Sequence, residues 1–325
     1  MVAHAAKDDI IEKMKEKVKG CKTSGGHSLY GNKPSKSNRQ MLSTSVNNSL
    51  ANQASSMRLS KNVNSSRDTI IRSLSGMPVF ENDAVTIESK IIGAGRFGVI
   101  KQAKLHKLGL TVAAKILNAS ICSKKLILSE AIVGMTLSGH NNFPFCFGLF
   151  GEGIILMEYL WVPNGMNFVA APTLAIKLNS GISRNTLRDT CYGILTAIAF
   201  MHSKGILHND IKTDNVIVSN TAKVIDFGKA TLISNPVVYS IAEGSEERAR
   251  YNSRHRHLAH ELRNVPGSKQ SVLTDVYSIG FLLKHSAATI SHQPVIQLGR
   301  MMKSRNSCSR ISIENCLDKF RKLME

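Results

Sequence analysis

The chain has 325 residues, 42% of them apolar, which is enough for a sizeable core and excludes wholesale disorder. At roughly 150 residues per domain, the length fits two domains, or one two-lobed enzyme with a tail. Its 42 Lys and Arg against 23 Asp and Glu leave a formal charge of +19, which favours anionic partners such as phosphate-rich ligands, acidic proteins or nucleic acid without choosing among them.

In chain order, the first residues, Met1 to Lys22, carry charges where a secretory signal needs an apolar run. Within them, residues 7–19 place Ile10, Ile11, Met14 and Val18 at helical spacing and predict a short charged helix. From about Ser24 to Ser75 the chain is rich in Ser, Asn, Lys and Arg. Such a stretch buries too little surface to offset its ordering entropy, so residues 1–80 are expected to form a flexible basic tail. The tail reads either as a solvated linker or as a segment touching nucleic acid or serving nuclear import. The six cysteines (Cys21, Cys122, Cys146, Cys191, Cys308, Cys316) form no CxxC pair, against a disulfide scaffold or a zinc module. Apolar stretches such as 154–157 with 159–162 are far too short to span a bilayer. The expectation is a soluble intracellular protein, in cytoplasm or nucleus, with no membrane contact. Its oligomeric state is not readable.

Strands are predicted at 89–92, 99–105 and 111–117, then a helix at 123–137, then strands at 145–150 and 153–159. Beyond residue 184 the pattern turns helical, and over 185–203 Leu187, Cys191, Ile194, Leu195, Ile198 and Met201 fall on one stripe. A strand-rich part ahead of a helix-rich part predicts an α+β protein of two lobes.

Between two predicted strands stands Gly93-Ala94-Gly95-Arg96-Phe97-Gly98. Glycines let a hairpin approach phosphates and aim N–H groups at them. The segment after Gly98, Val99-Ile100-Lys101, reads as a strand, so the dinucleotide-binding turn, which needs a helix there, fails its context. A glycine-rich hairpin lying over a nucleotide is the better account. Lys115 follows on an apolar strand, where a lysine ordinarily lies on a solvated face. Glu130 on the next predicted helix is its candidate partner, and such a pair holds an ammonium against phosphates. Farther on come His208-Asn209-Asp210-Ile211-Lys212-Thr213-Asp214-Asn215 and Asp226-Phe227-Gly228. Asp210 can orient the proton of an attacking hydroxyl. Asp226 and the amide oxygen of Asn215 are hard oxygen ligands of the kind a divalent metal ion takes, and Lys212 adds a positive charge two residues from Asp210.

With these motifs in this order, the chain resembles a eukaryotic-type protein kinase over about residues 85–325. The resemblance implies an antiparallel-sheet N-lobe with one main helix (about 85–158) and a helical C-lobe (about 162–325). It implies ATP and Mg2+, with Mn2+ a possible substitute, and protein substrates phosphorylated on Ser or Thr, since Lys212 matches the serine/threonine pattern. Gly93, Ala94, Gly95, Arg96, Phe97 and Gly98 would cover the phosphates, with Ile100 behind them. Lys115 and Glu130 would be the ion pair. Met157 would guard the adenine pocket, Glu158 and Leu160 would offer backbone hydrogen bonds, and Ala113 and Ile217 would sandwich the ring. Asp210, Lys212, Asn215 and Asp226 would be catalytic, with Asn215 and Asp226 as metal ligands. Ala259-His260-Glu261 resembles the Ala-Pro-Glu motif, with Glu261 pairing with Arg310, and Asp275 would tie down the catalytic-loop backbone.

Departures from the family pattern carry expectations. Asn209 replaces the Arg that usually reads an activation-segment phosphate, so activity without such phosphorylation is expected, and switching at Thr231, Ser234, Tyr239 or Ser245 is not. His260 replaces Pro after a densely basic run, 250–257, which is either a rim favouring acidic peptides or a solvated loop. The Thr that often bridges the catalytic Asp and Lys has no clear match, Ser253 being the nearest hydroxyl. The stretch from Asp275 to Arg310 is short, as in kinases of large DNA viruses, which would place the protein in a host cell. Finally, 161–183 reads as a long variable connection beside the cleft. The alternative function is a pseudokinase scaffold that binds nucleotide and partners. A small-molecule kinase is disfavoured by the Asp-Phe-Gly and Ala-His-Glu segments.

Overall fold

The computed structural model describes residue 70 and residues 77–95, 97–151, 153–239 and 245–323. The predicted helix at 7–19, nearly all of the expected tail and Arg96 lie outside the described residues. Of the two units into which the chain divides, Met1–Ser55 and Ser56–Glu325, all that follows concerns the second.

Its first part is a sheet with one long helix: β1 (Val79–Phe80), β2 (Val85–Gly95), β3 (Gly98–Leu105), β4 (Leu110–Leu117), α1 (Lys124–Leu137), β5 (Cys146–Phe150) and β6 (Ile154–Glu158). The strand order is β1-β5-β6-β4-β3-β2. Alternation decides the faces, as pleating requires. Ala103, Leu105, Val112, Ala114 and Leu156 are buried on one side of the sheet. Leu117 and Ile155 pack on the other, with Ile127 and Ala131 of α1. Lys115 shares the side of Leu117, so β4 turns it toward the helix. Ser123 caps α1, its Oγ accepting the Leu126 N–H at 3.2 Å.

Two expectations need correction here. The sheet is not wholly antiparallel, because β1 runs parallel to β5, joined by the Leu149 N–H to Pro78 carbonyl bond at 2.9 Å. Order also begins upstream of Val85: Val79–Phe80 form β1, and Ile70 is buried in the core with Ile132 and Val133 of α1. Ile70 and Ile71 form too short an apolar pair, amid polar residues, to set a period.

The second part begins with a hairpin, β7 (Trp161–Asn164) and β8 (Asn167–Ala170), and a short helix, α2 (Leu174–Ser180). The connection at 161–183 is therefore structured. Trp161 and Phe168 pair edge-to-face across the hairpin at 4.3 Å, and Thr173 caps the helix, accepting the Ile176 N–H at 3.3 Å. Then come α3 (Arg184–Ser203), β9 (Ile206–Leu207), β10 (Val216–Val218), β11 (Ala222–Val224), β12 (Thr231–Leu232), α4 (Ser245–Arg254), α5 (His260–Asn264), α6 (Val272–Ala288), α7 (Gln293–Met302) and α8 (Ile313–Arg321). Every member of the predicted α3 stripe is at most 2% exposed, and these residues centre a core shared with Ile279, Leu282 and Leu283 of α6 and Leu317 and Phe320 of α8.

Helices α6 and α7 meet backbone to backbone. A Cβ on Gly280 would lie 2.8 Å from the Gly299 carbonyl oxygen, and one on Gly299 would lie 2.7 Å from that of Gly280. Among the described residues no helix is long and apolar enough to cross a membrane.

Candidate active site

Three elements meet at Lys115. Its Nζ bonds Glu130 of α1 and lies 3.1 Å from Asp226 Oδ1, in the segment after β11. Burial opposes a charge on Lys115, but the two carboxylates outweigh it and hold the ammonium well above the usual lysine range. Phe227 anchors this arrangement from below. It is buried, 5.7 Å from the Phe143 ring and 5.9 Å from the His208 ring, and Asp226 beside it, at φ 69°, has its carboxylate turned toward Lys115.

Ahead of Lys115, β2 and β3 form the glycine hairpin. Gly98 has φ 155°, and a Cβ there would lie 2.1 Å from the Ile116 carbonyl oxygen. Only glycine lets this turn lie so close to β4. The Phe97 carbonyl accepts the Asn118 N–H at 2.8 Å, which ties the turn to the end of β4. Gly93, Ala94, Ile100 and Gly95 lie along the paired strands. In the sheet, Ala113 pairs with Met157, while Ile217 lies on β10 and bridges Thr173. The Glu158 N–H is committed to the Phe145 carbonyl at 2.7 Å, and the Leu160 carbonyl accepts the Ala171 N–H at 2.9 Å.

Asp210 is buried and each of its carboxylate oxygens holds two donors. Oδ2 takes Lys212 Nζ at 3.1 Å and Asn215 Nδ2 at 3.3 Å, whereas Oδ1 takes Lys229 Nζ at 3.0 Å and His257 Nε2 at 3.2 Å. Burial pushes this carboxyl up, yet the His257 hydrogen bond and the charges of Lys229 and Lys212 prevail and hold it far below the usual carboxylate range. Asn215 Nδ2 also donates to the Asp210 carbonyl at 2.9 Å, which turns its amide oxygen away from that carbonyl. Asn215 and Asp226 thus offer two hard oxygens near the Asp210 carboxylate. That donor set suits Mg2+, which takes a few protein oxygens and completes its shell with phosphates and water.

Beneath the loop, fully buried Asp275 is the anchor that the sequence predicts. It accepts the N–H of His208 at 2.8 Å and of Asn209 at 2.9 Å, and His202 Nε2 lies at 3.0 Å. These bonds hold Asn209 at φ 66°, a left-handed conformation that Asn tolerates better than most residues. The Asn209 side chain donates to the Lys229 carbonyl and to Thr231 Oγ1, both at 2.9 Å. Thr231 donates on to Gln270 Oε1 at 3.2 Å, and Gln270 donates to the Tyr239 hydroxyl at 3.3 Å. Glu261 and Arg310 form the expected pair, bidentate at 2.7 Å on both arms.

The predicted catalytic residues fall into two clusters, Lys115–Glu130–Asp226 and Asp210–Lys212–Asn215, joined by the Ile225 N–H to Asn215 carbonyl bond at 3.0 Å. Three functional contacts escaped the sequence reading. Lys229 and His257 reach Asp210 across 19 and 47 residues. Lys223 is buried and donates to Glu158 Oε2 at 3.0 Å and to the Phe143 carbonyl at 3.1 Å. Ser253 does not fill the bridging role: it is exposed and its hydroxyl bonds Arg250 within α4 at 2.8 Å. The basic run is helix α4 plus a turn, not a free loop.

The comparisons agree with this geometry. The protein kinase domain family model matches residues 86–316. Among curated relatives, a probable serine/threonine-protein kinase PknB of Bifidobacterium longum is 27% identical over 60% of this chain and 29% of its own length. Serine/threonine-protein kinase STE20 of Eremothecium gossypii is 32% identical over 42% of this chain and 14% of its own. Human serine/threonine-protein kinase 10 is 27% identical, again over 42% and 14%. The chain thus spans less than a third of the length of these relatives. With the family match covering most of its residues, the chain belongs to the protein kinase family.

Proposed function

We propose that this protein is an ATP-dependent serine/threonine kinase that transfers a γ-phosphoryl group to protein hydroxyls with Mg2+, or Mn2+ in its place. The observation that carries the reading is the joint closure of the Lys115–Glu130–Asp226 cluster and the Asp210–Lys212–Asn215 cluster. Lys115 would hold phosphate oxygens. Asp210, kept ionised, would orient the substrate hydroxyl and accept its proton, while Lys212 offsets the charge of the transferred group. Asn215 and Asp226 would hold the metal, which neutralises phosphate charge when bound.

Activity without activation-segment phosphorylation belongs to the same reading. The segment is tethered through the neutral Asn209–Thr231–Gln270–Tyr239 chain, with Thr231 and Tyr239 each 4% exposed. Burial also pushes the Tyr239 phenol up to about 12. Neither hydroxyl is presented to a modifying enzyme. The exposed basic residues Arg250, Arg254 and Arg256 support a preference for acidic peptides.

The test is transfer of labelled phosphate from ATP and Mg2+ to acidic and basic peptides. Phosphoserine or phosphothreonine is expected. Asp210→Asn and Lys115→Met should each cost at least about 100-fold in kcat, and phosphatase pretreatment should leave the rate unchanged. Nucleotide binding with no transfer by the wild-type protein would hand the function to the scaffold reading.

A further inference from the structure

His257 stands in an alternating basic run, Arg254-His255-Arg256-His257, whose other members are at least partly exposed. The structure turns His257 inward instead. Its side chain is 11% exposed and its Nε2 lies 3.2 Å from Asp210 Oδ1. An ionised carboxylate can only accept, so Nε2 carries the proton and donates it.

The ring is delivered by a well-braced turn. The His255 N–H donates to the Tyr251 carbonyl and the Leu258 N–H to the His255 carbonyl, both at 3.0 Å. The Tyr251 and His255 rings stack at 4.1 Å. Arg263 Nε bonds the Leu258 carbonyl at 2.9 Å, and Leu258, Ala259 and Leu262 are buried with Tyr239 and Tyr277.

The two oxygens of Asp210 therefore have different keepers. Oδ2 is held by Lys212 and Asn215, which belong to the catalytic loop itself. Oδ1 is held by Lys229 and His257, which flank the activation segment. Lys229 is 42% exposed on a flexible stem, whereas His257 is rigid and buried.

We infer that His257 is a positioning residue that pins Oδ1 of the catalytic carboxylate, so that Asp210 is aimed only when residues 255–262 are packed beneath it. This rests on the phosphotransfer reading and adds to it a dependence of the chemical step on the substrate-side segment. The role is filled by a ring N–H where a hydroxyl was sought in the sequence.

The experiment uses the full chain with His257→Ala and His257→Gln, assayed at saturating ATP and peptide. His257→Ala should lower kcat on the order of 10- to 100-fold, the scale of a small misplacement of a catalytic group, with KM for ATP within about twofold of wild type. His257→Gln, whose amide can donate to the same oxygen, should recover most of the loss at an equal melting temperature. An Ala variant within twofold of the wild-type kcat, or Ala and Gln variants equally impaired, would overturn the inference. A second arm needs neither catalysis nor a folded Ala variant. With 15N-labelled histidine, the His257 Nε2–H resonance of the wild type should shift on Asp210→Asn, and an unmoved resonance would also overturn it. If the wild type transfers nothing, only the kinase reading fails, and this arm still decides whether His257 holds the carboxylate.

Discussion

At Asn209, one amide does structural service that a phosphate-reading arginine commonly performs in this family. Its two donated bonds are uncharged, the one to Thr231 buried and the one to the Lys229 carbonyl partly so, and Asn209→Ala removes a partner from each. It also places alanine at φ 66°. The expected cost is about 1–3 kcal/mol, read from urea denaturation, with faster amide exchange over residues 229–232. Residues of this kind also mark the limit of what a sequence reveals. Lys115, Glu130, Asp210, Asn215 and Asp226 were legible because their types and order are what phosphoryl transfer requires. His257, Lys229 and Lys223 were not, because each acquires its role from a partner brought near only by folding. A histidine among arginines looks solvated until the turn at 255–258 rotates it beneath the loop.

Among the elements, legibility followed periodicity. Strands β3 to β6 and helices α1 and α3 were anticipated within a few residues, since each has an apolar face against a core. Strand β1 was missed because two residues carry no period, and α4 because SEERARYNSR has no apolar stripe. The β7–β8 hairpin was hidden by its Pro, Gly and Asn content. Two predictions belong here. Gly98→Ala must push the hairpin off the Ile116 carbonyl, so nucleotide affinity should fall, measured by titration with a fluorescent ATP analogue, while α6 to α8 keep their exchange protection. Glu261→Ala leaves the Arg310 guanidinium, 0% exposed, without its carboxylate. That should cost about 3 kcal/mol in denaturant unfolding, far more than loss of the exposed Glu246–Arg250 pair.

Over the whole molecule, Asp210, Asp226 and Asp275 are three carboxyls that burial pushes up. Hydrogen bonds and neighbouring cations, led by His257, Lys115 and His202 respectively, hold them below the usual carboxylate range. Since their folded values lie below the unfolded value near 3.9, their stabilisation is complete above about pH 5 and drains away as pH falls toward the folded values. Urea midpoints measured from pH 7 down to pH 3 should decline steeply below pH 4. Asp275→Asn should be weaker at pH 7, with the gap to wild type narrowing under acid. The Gly280–Gly299 crossing has a different kind of consequence, for how this chain can vary. Any side chain at either position wedges two helices apart, and enlarging the partner cannot compensate, so neither site can be rescued from the other. A saturation library across residues 272–302 should reject every replacement at 280 and 299, whereas buried neighbours such as Ile279 and Leu298 should still accept conservative apolar swaps. Outward positions such as Gln293, Gln297 and Arg300 should accept nearly every replacement.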